Sequence, residues 1–192
     1  MRATLLAVIA LWLALPGGML AQTRRASLDS LAAVVARADR AGTLHGVVLV
    51  ADGGRVVYHT AHGLAHRGYQ IPNRLDTKFN LASVGKTLTA VAIGQLVEQG
   101  KLRFTDTLAR VLPDYPNQAI ARRVTIAQLL THRSGMGLYW ERLFQGNWPS
   151  VRTTADLLPF FVNDTLLFEP GSRWFYSNTG FAVLGMVIEK VS

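Results

Sequence analysis

Ser83 and Lys86 stand three residues apart in Ser83-Val84-Gly85-Lys86, at the start of a segment with strong helical patterning. Residues three apart on a helix share a face, so the hydroxyl and the amine can touch. A serine alcohol is a poor nucleophile until a base takes its proton. A lysine serves as that base only where burial or positive potential lowers its pKa from the reference ~10.4. A helix N-terminus supplies roughly half a positive charge. There it disfavours an ammonium and favours an oxyanion on the serine, which helps both partners. The spacing alone is a weak signal: eight serines and four lysines among 192 residues produce it by chance about 0.2 times. Its plain alternative has Ser83 as a helix N-cap and Lys86 as a solvated first-turn residue.

Tyr176-Ser177-Asn178 shifts the balance. It follows Pro170-Gly171 and directly precedes an apolar helical stretch. A tyrosine can shuttle protons, and an asparagine amide can hold a substrate carbonyl while contacting a lysine. Without Ser83 and Lys86 it would be an ordinary helix-capping turn. Two other readings fail on spacing. Gly85-Lys86-Thr87 suggests a nucleotide-binding loop, but the glycine required five positions earlier is Asn80, and the preceding Asn73–Lys78 is polar where a buried strand is needed. His59 and His62 would point to opposite faces of a strand, so a metal site with His66 is awkward and turn or surface histidines are favoured. No metal ion and no cofactor is implied.

These residues need elements to hold them. Leu28, Leu31, Val34, Val35 and Ala38 recur at helical spacing over 27–41, and Gly42 ends that helix. His45–Ala51 and Arg55–Ala61 are β-rich runs joined by Asp52-Gly53-Gly54, a hairpin signal. Residues 63–79 are polar and turn-rich. From Ser83 the pattern turns helical, with Leu88, Val91, Ala92, Leu96 and Val97 in one stripe and Gly100 closing it. Leu108 to Leu112 run into a loop at Pro113. Thr125–Thr131 predicts a short helix capped by Thr125. Residues 133–150, rich in glycine and tryptophan, suit an irregular wall, with Tyr139, Trp140 and Trp148 on a pocket rim. A further Thr-capped helix is expected over 153–162, and another over 179–191. A helix, a hairpin and then mostly helices argue for an α+β fold.

Composition and the N-terminus bound the setting. Hydrophobic residues make up 49% and charged residues 17% of the chain, which is globular. Arg2, the apolar run Leu5–Leu15, a break at Pro16-Gly17-Gly18 and a cut after Ala21 read as a signal peptide over residues 1–21. The apolar run is shorter than the ~20 residues of a membrane span. Periplasmic or secreted localisation follows, with no stable membrane span after cleavage. The chain has no cysteine, which excludes a disulfide and a lipidated N-terminal Cys. Its net charge is +8, but the arginines are scattered and no nucleic-acid motif accompanies them, so a nucleic-acid partner is not expected.

From about residue 27 onward the sequence resembles the serine β-lactamases and penicillin-binding proteins, in pattern closest to class C β-lactamases, D-alanyl-D-alanine carboxypeptidases and related esterases. The resemblance rests on Gly46-Val47-Val48-Leu49-Val50, Phe79-Asn80-Leu81-Ala82-Ser83 and Gln95-Leu96-Val97-Glu98-Gln99-Gly100-Lys101-Leu102. It continues through Leu112-Pro113-Asp114-Tyr115, Leu129-Leu130-Thr131-His132-Arg133-Ser134-Gly135 and Pro170-Gly171-Ser172 ahead of Tyr176-Ser177-Asn178. It includes the Ser-x-x-Lys motif of that superfamily. The resemblance implies a β-lactamase/transpeptidase-like fold, here the N-terminal helix, the hairpin and most of the helical subdomain, filling residues 22–192 as a partial serine hydrolase domain. It implies Ser83 as the acylated nucleophile, Lys86 as its proton acceptor, and Tyr176 as general base and acid. Asn178 would hold the substrate amide, and the Ser83 N–H would be one oxyanion donor. His132 and Ser134 match a landmark without a catalytic role and read as structural. The implied partner is a β-lactam, a D-alanyl or peptidoglycan-like peptide, or a small ester. The alternative is a non-catalytic peptidoglycan-binding or sensor protein on the same scaffold. The family's third motif, Lys- or His-x-Gly on a later strand, has no match after Asn178. The expectation is therefore an incomplete domain that lacks further sheet strands and turns over substrate poorly by itself.

Overall fold

The structure is a computed structural model that describes residues 15–146 and 148–192. It divides into two compact units, Met1–Asn80 and Leu81–Ser192. Residues 1–14, which hold most of the expected signal peptide, lie outside the described residues.

In the first unit, α1 (Leu15–Arg40) begins well before the predicted position at 27. It runs through Pro16, Gly17 and Gly18, where a break was expected. A proline forfeits only the bond of its own missing N–H, so the turns after it can continue. The predicted end holds: Gly42 has φ +65°, and Gly42 and Thr43 donate to the Asp39 and Ala38 carbonyls at 2.9 and 3.0 Å. That paired closure depends on a left-handed residue, which glycine adopts without strain.

Strands β1 (Gly46–Asp52) and β2 (Arg55–His62) pair antiparallel with Gly46 opposite His62 and a bulge at Val50/Ala51. Gly53 and Gly54 both have positive φ, as a two-residue hairpin turn matched to strand twist requires. Residues 63–79 hold a second small pair that the pattern does not reveal, β3 (Leu64–His66) with β4 (Ile71–Pro72). Strands this short carry too little alternation to read. Gly63 anchors the corner: a Cβ there would lie 2.3 Å from His45 Nδ1, which accepts the Leu64 N–H at 3.0 Å.

The second unit opens with a tight helical turn, Ala82–Val84, feeding α2 (Gly85–Glu98). Short helices α3 (Leu108–Val111), α4 (Gln118–Ala121), α5 (Ile126–Leu130) and α6 (Trp140–Gln145) follow, then the long α7 (Asn178–Val191). Its core joins Ile93 and Leu96 of α2 to Leu108, Val124, Ile126 and Leu129 and to Val183, Leu184 and Val187 of α7. Helix α7 packs against both α2 and α5. Thr125 caps α5 as predicted, with a reciprocal bond pair to Gln128.

Three expectations shift. The buried face of α2 is set by Ile93 and Leu96, while Leu88 and Val91 of the expected stripe are more than half exposed. The apolar residues run most of the way round this helix, so periodicity does not choose its inner face. The helix expected over 153–162 is a tighter run, Ala155–Phe160, containing Pro159, which lacks the N–H an α-helix interior needs. Tyr139 is not on a rim: it is buried against Phe161 and stacked on Trp140 at 5.4 Å. One unit is helical and the other sets the long helix α1 beside two small antiparallel sheets, the α+β class the order of elements implied.

Candidate active site

Ser83 sits in the tight turn immediately before α2, one residue after Ala82, whose φ is +45°. A left-handed alanine costs about 1–2 kcal/mol. The chain accepts that cost beside its candidate nucleophile, where strain of this kind tends to concentrate. Lys86, on the first turn of α2, reaches back so that Nζ lies 3.3 Å from Ser83 Oγ. The spacing in sequence thus produces the contact it predicted, across the joint between the turn and the helix.

Tyr176 arrives from 93 positions away, and its Oη shares a hydrogen bond of 2.6 Å with Ser83 Oγ. Asn178, the first residue of α7, is buried and accepts from Lys86 Nζ at 2.7 Å. The ammonium also lies over two rings, 4.9 Å from the centre of Tyr176 and 5.5 Å from that of Phe181. All four residues singled out in the sequence therefore meet at one place.

The segment that presents Tyr176 is tied down on both sides. Its neighbour Ser177 is buried and caps α7 by accepting the Gly180 N–H at 2.9 Å, while its hydroxyl donates to the Gly137 carbonyl at 3.0 Å. His132, just past α5, takes the rest: its carbonyl accepts the Phe175 N–H at 2.9 Å and its Nδ1 accepts the Ser177 N–H at 3.1 Å. The His132 ring lies 4.7 Å from the Tyr176 ring and 5.1 Å from that of Phe181. His132 itself has φ +57°. Sequence reading placed His132 among structural residues and missed its position against Tyr176. The available signal was its place at the end of a predicted helix, where a left-handed residue turns the chain. Ser134 does stay structural, buried with its Oγ accepting the Met136 N–H at 3.2 Å.

The electrostatics follow from Lys86. Hydrogen bonding with Lys86, then with Ser83, and the ammonium's charge hold the Tyr176 phenol below its ordinary pKa, against a smaller upward push from burial. Burial first, and the Lys86 charge second, push the His132 imidazole below its ordinary value. A hydroxyl, an amine and an acidified phenol in mutual hydrogen-bond reach can generate a serine nucleophile and move its proton. The cluster faces outward. The groove of about 380 Å³ lined by Leu112, Tyr115, Leu158 and Met186 does not include it.

Comparison with known proteins assigns the family of the fold that carries this Ser-Lys-Tyr cluster. The Beta-lactamase family model matches residues 31–192, and the chain belongs to that family. It is 39% identical over 152 residues to penicillin-binding protein 4* of Bacillus subtilis, covering 77% of this chain and 33% of that protein. It is 38% identical over 162 residues to esterase EstB of Burkholderia gladioli, covering 76% of this chain and 40% of the esterase. Among solved structures, a penicillin-binding protein from Bacillus halodurans superposes with a TM-score of 0.67 at 38% identity, over 79% of this chain and 48% of that one. The chain thus has the β-lactamase/transpeptidase-like fold and spans about a third to two fifths of the length of these curated relatives.

Proposed function

We propose that the protein is an exported serine hydrolase that works through an acyl-enzyme on Ser83, acting on a β-lactam, a D-alanyl peptide or a small ester. The observation that carries this reading is the 2.6 Å contact between Ser83 Oγ and Tyr176 Oη, with Lys86 Nζ within 3.3 Å of the same Oγ. Ser83 Oγ attacks the substrate carbonyl and loses its proton to the Tyr176–Lys86 pair. The expectation gave that proton to Lys86; the shorter contact favours Tyr176 as first acceptor, with the ammonium stabilising the phenolate. Tyr176 then protonates the leaving group as the carbonyl–leaving-group bond breaks. The acyl group stays on Ser83 until water, deprotonated by Tyr176, attacks the ester. The bond from the acyl carbon to Ser83 Oγ then breaks, Tyr176 returns the proton to Oγ, and the carboxylic acid product leaves. Asn178, oriented by Lys86, is placed to hold the substrate amide, and the Ser83 N–H to receive the oxyanion.

The names of the relatives support this range: a penicillin-binding protein and an esterase are both similar to this chain. Residues 1–21 are proposed as a signal peptide and residues 22–192 as part of the hydrolase domain. The test is labelling of the full-length gene product with a serine-directed phosphonate. One label on Ser83, abolished by Ser83→Ala, is the expected result. Labelling of another serine, or none, overturns the assignment. Comparing turnover of a cephalosporin and a short nitrophenyl ester then selects the substrate; ester turnover alone excludes a primary β-lactamase role.

A further inference from the structure

Tyr176 touches Ser83 through one hydroxyl at the end of a flexible side chain, so something must fix where that hydroxyl sits. Among the contacts that hold the segment, three come from one residue. His132 accepts the Phe175 N–H on its carbonyl and the Ser177 N–H on its ring, one bond on each side of Tyr176. Its ring then lies 4.7 Å from the Tyr176 ring, tilted by 36°. A ring nitrogen that accepts an amide N–H is unprotonated. We infer that His132 is a positioning residue for acyl transfer: in its neutral form it clamps the Phe175–Ser177 backbone and the Tyr176 ring, and protonation of Nδ1 releases that clamp.

The inference rests on the reading of Ser83, Lys86 and Tyr176 as the acyl-transfer centre. The groups that the structure sets against the imidazole are Lys86 from α2, Tyr176 and Trp174 from the segment entering α7, and Phe181 from α7 itself. The charge of Lys86 opposes a second positive charge on the ring. Burial acts in the same direction. A protonated His132 would turn a donor toward the Ser177 N–H and set a cation against the phenol and the ammonium. Neutrality of the ring is thus built into the packing. It also predicts an acid limb in turnover, falling as pH drops through a value below the ordinary histidine range.

The test compares two variants of the full-length protein on a nitrophenyl ester, with rates divided by the number of Ser83 sites that a phosphonate labels. In His132→Asn, Oδ1 takes the place of Nδ1, the residue tolerates a left-handed φ, and nothing titrates. It is expected to keep neutral-pH kcat within about threefold of the wild type and to lose the His132 acid limb. In His132→Phe the ring remains but the acceptor is gone. It is expected to lose roughly tenfold in kcat with KM little changed, the scale of one hydrogen bond. An unchanged acid limb in His132→Asn, a Phe variant equal to the wild type, or an Asn variant no better than Phe would overturn the inference. Because rates are counted per labelled Ser83, absence of labelling in the wild type fails the acyl-enzyme reading instead and is seen separately.

Discussion

Tyr176 carries the most unusual chemistry of any single residue here, because its phenol is acidified while the two buried tyrosines shift the opposite way. Burial, aided by Asp164, pushes Tyr115 up to about 12, and burial raises Tyr139. Tyr176 should therefore ionise before both in an alkaline titration followed by ultraviolet absorbance. Tyr176→Phe should remove the phase at lowest pH, and Lys86→Met should move that phase upward, toward the ordinary tyrosine value. If the early phase survives in Tyr176→Phe, the acidified phenol belongs elsewhere. Loss of the hydroxyl should also lower kcat by about 10²–10⁴, the usual worth of a positioned acid–base group. His132 adds a stability signature. Its folded pKa is depressed, so its contribution is fully present above the unfolded value of ~6.5 and is lost as pH falls through the lower folded value. Urea unfolding at several pH values should show that loss in the wild type and not in His132→Asn.

At the scale of elements, the join between α5 and α7 decides whether the site assembles. Ser177→Ala removes the α7 cap and the donor to Gly137, and should destabilise the protein by about 1–2 kcal/mol, read as a lower urea midpoint. Gly135→Ala should cost at least about 2 kcal/mol, since φ is +80° and a Cβ would lie 2.4 Å from the Phe168 carbonyl oxygen. A midpoint unchanged by either substitution would contradict the packing described. The sequence showed the hairpin, the capped α5 and α7 plainly, because each carries a local signal: paired glycines, a threonine before a short apolar run, a serine before a longer one. It also showed Ser83, Lys86, Tyr176 and Asn178. It hid the inner face of α2, since apolar residues surround that helix, and the burial of Tyr139, since a tryptophan- and glycine-rich stretch has no period. The grip of His132 on Tyr176 was illegible for another reason. It is made by one ring nitrogen across 45 positions and one carbonyl to Phe175, and no local pattern encodes such a pairing.

For the whole molecule, the positive charge is spread and partly paired. Arg24 meets Asp52 at 2.8 Å, Arg142 grips Asp164 through both nitrogens, and Arg123 pairs with Glu169. That distribution suits a solvated surface more than a polyanion track. No helix among the described residues is long and apolar enough to cross a membrane. The proposed export predicts that the protein made in a bacterial host loses Met1 to Ala21, which intact-mass measurement would detect. An unprocessed Met1 in a soluble cytoplasmic product would contradict it.

The left-handed Ala82 has a consequence for how such a protein can be improved by random mutation. Alanine and glycine codons differ by one base, so relief of this conformation is a single step away. Glycine would remove the ~1–2 kcal/mol penalty and return about 0.4–1 kcal/mol of it as extra freedom in the unfolded chain. The net gain is small, and a library sorted on heat survival would pass Ala82→Gly almost unnoticed. Yet the residue that gains freedom is the one that aims Ser83 at Tyr176 and Lys86. A library sorted on turnover would discard the same clone, so the two selections diverge at this position, and thermal ranking is a poor guide to variants here.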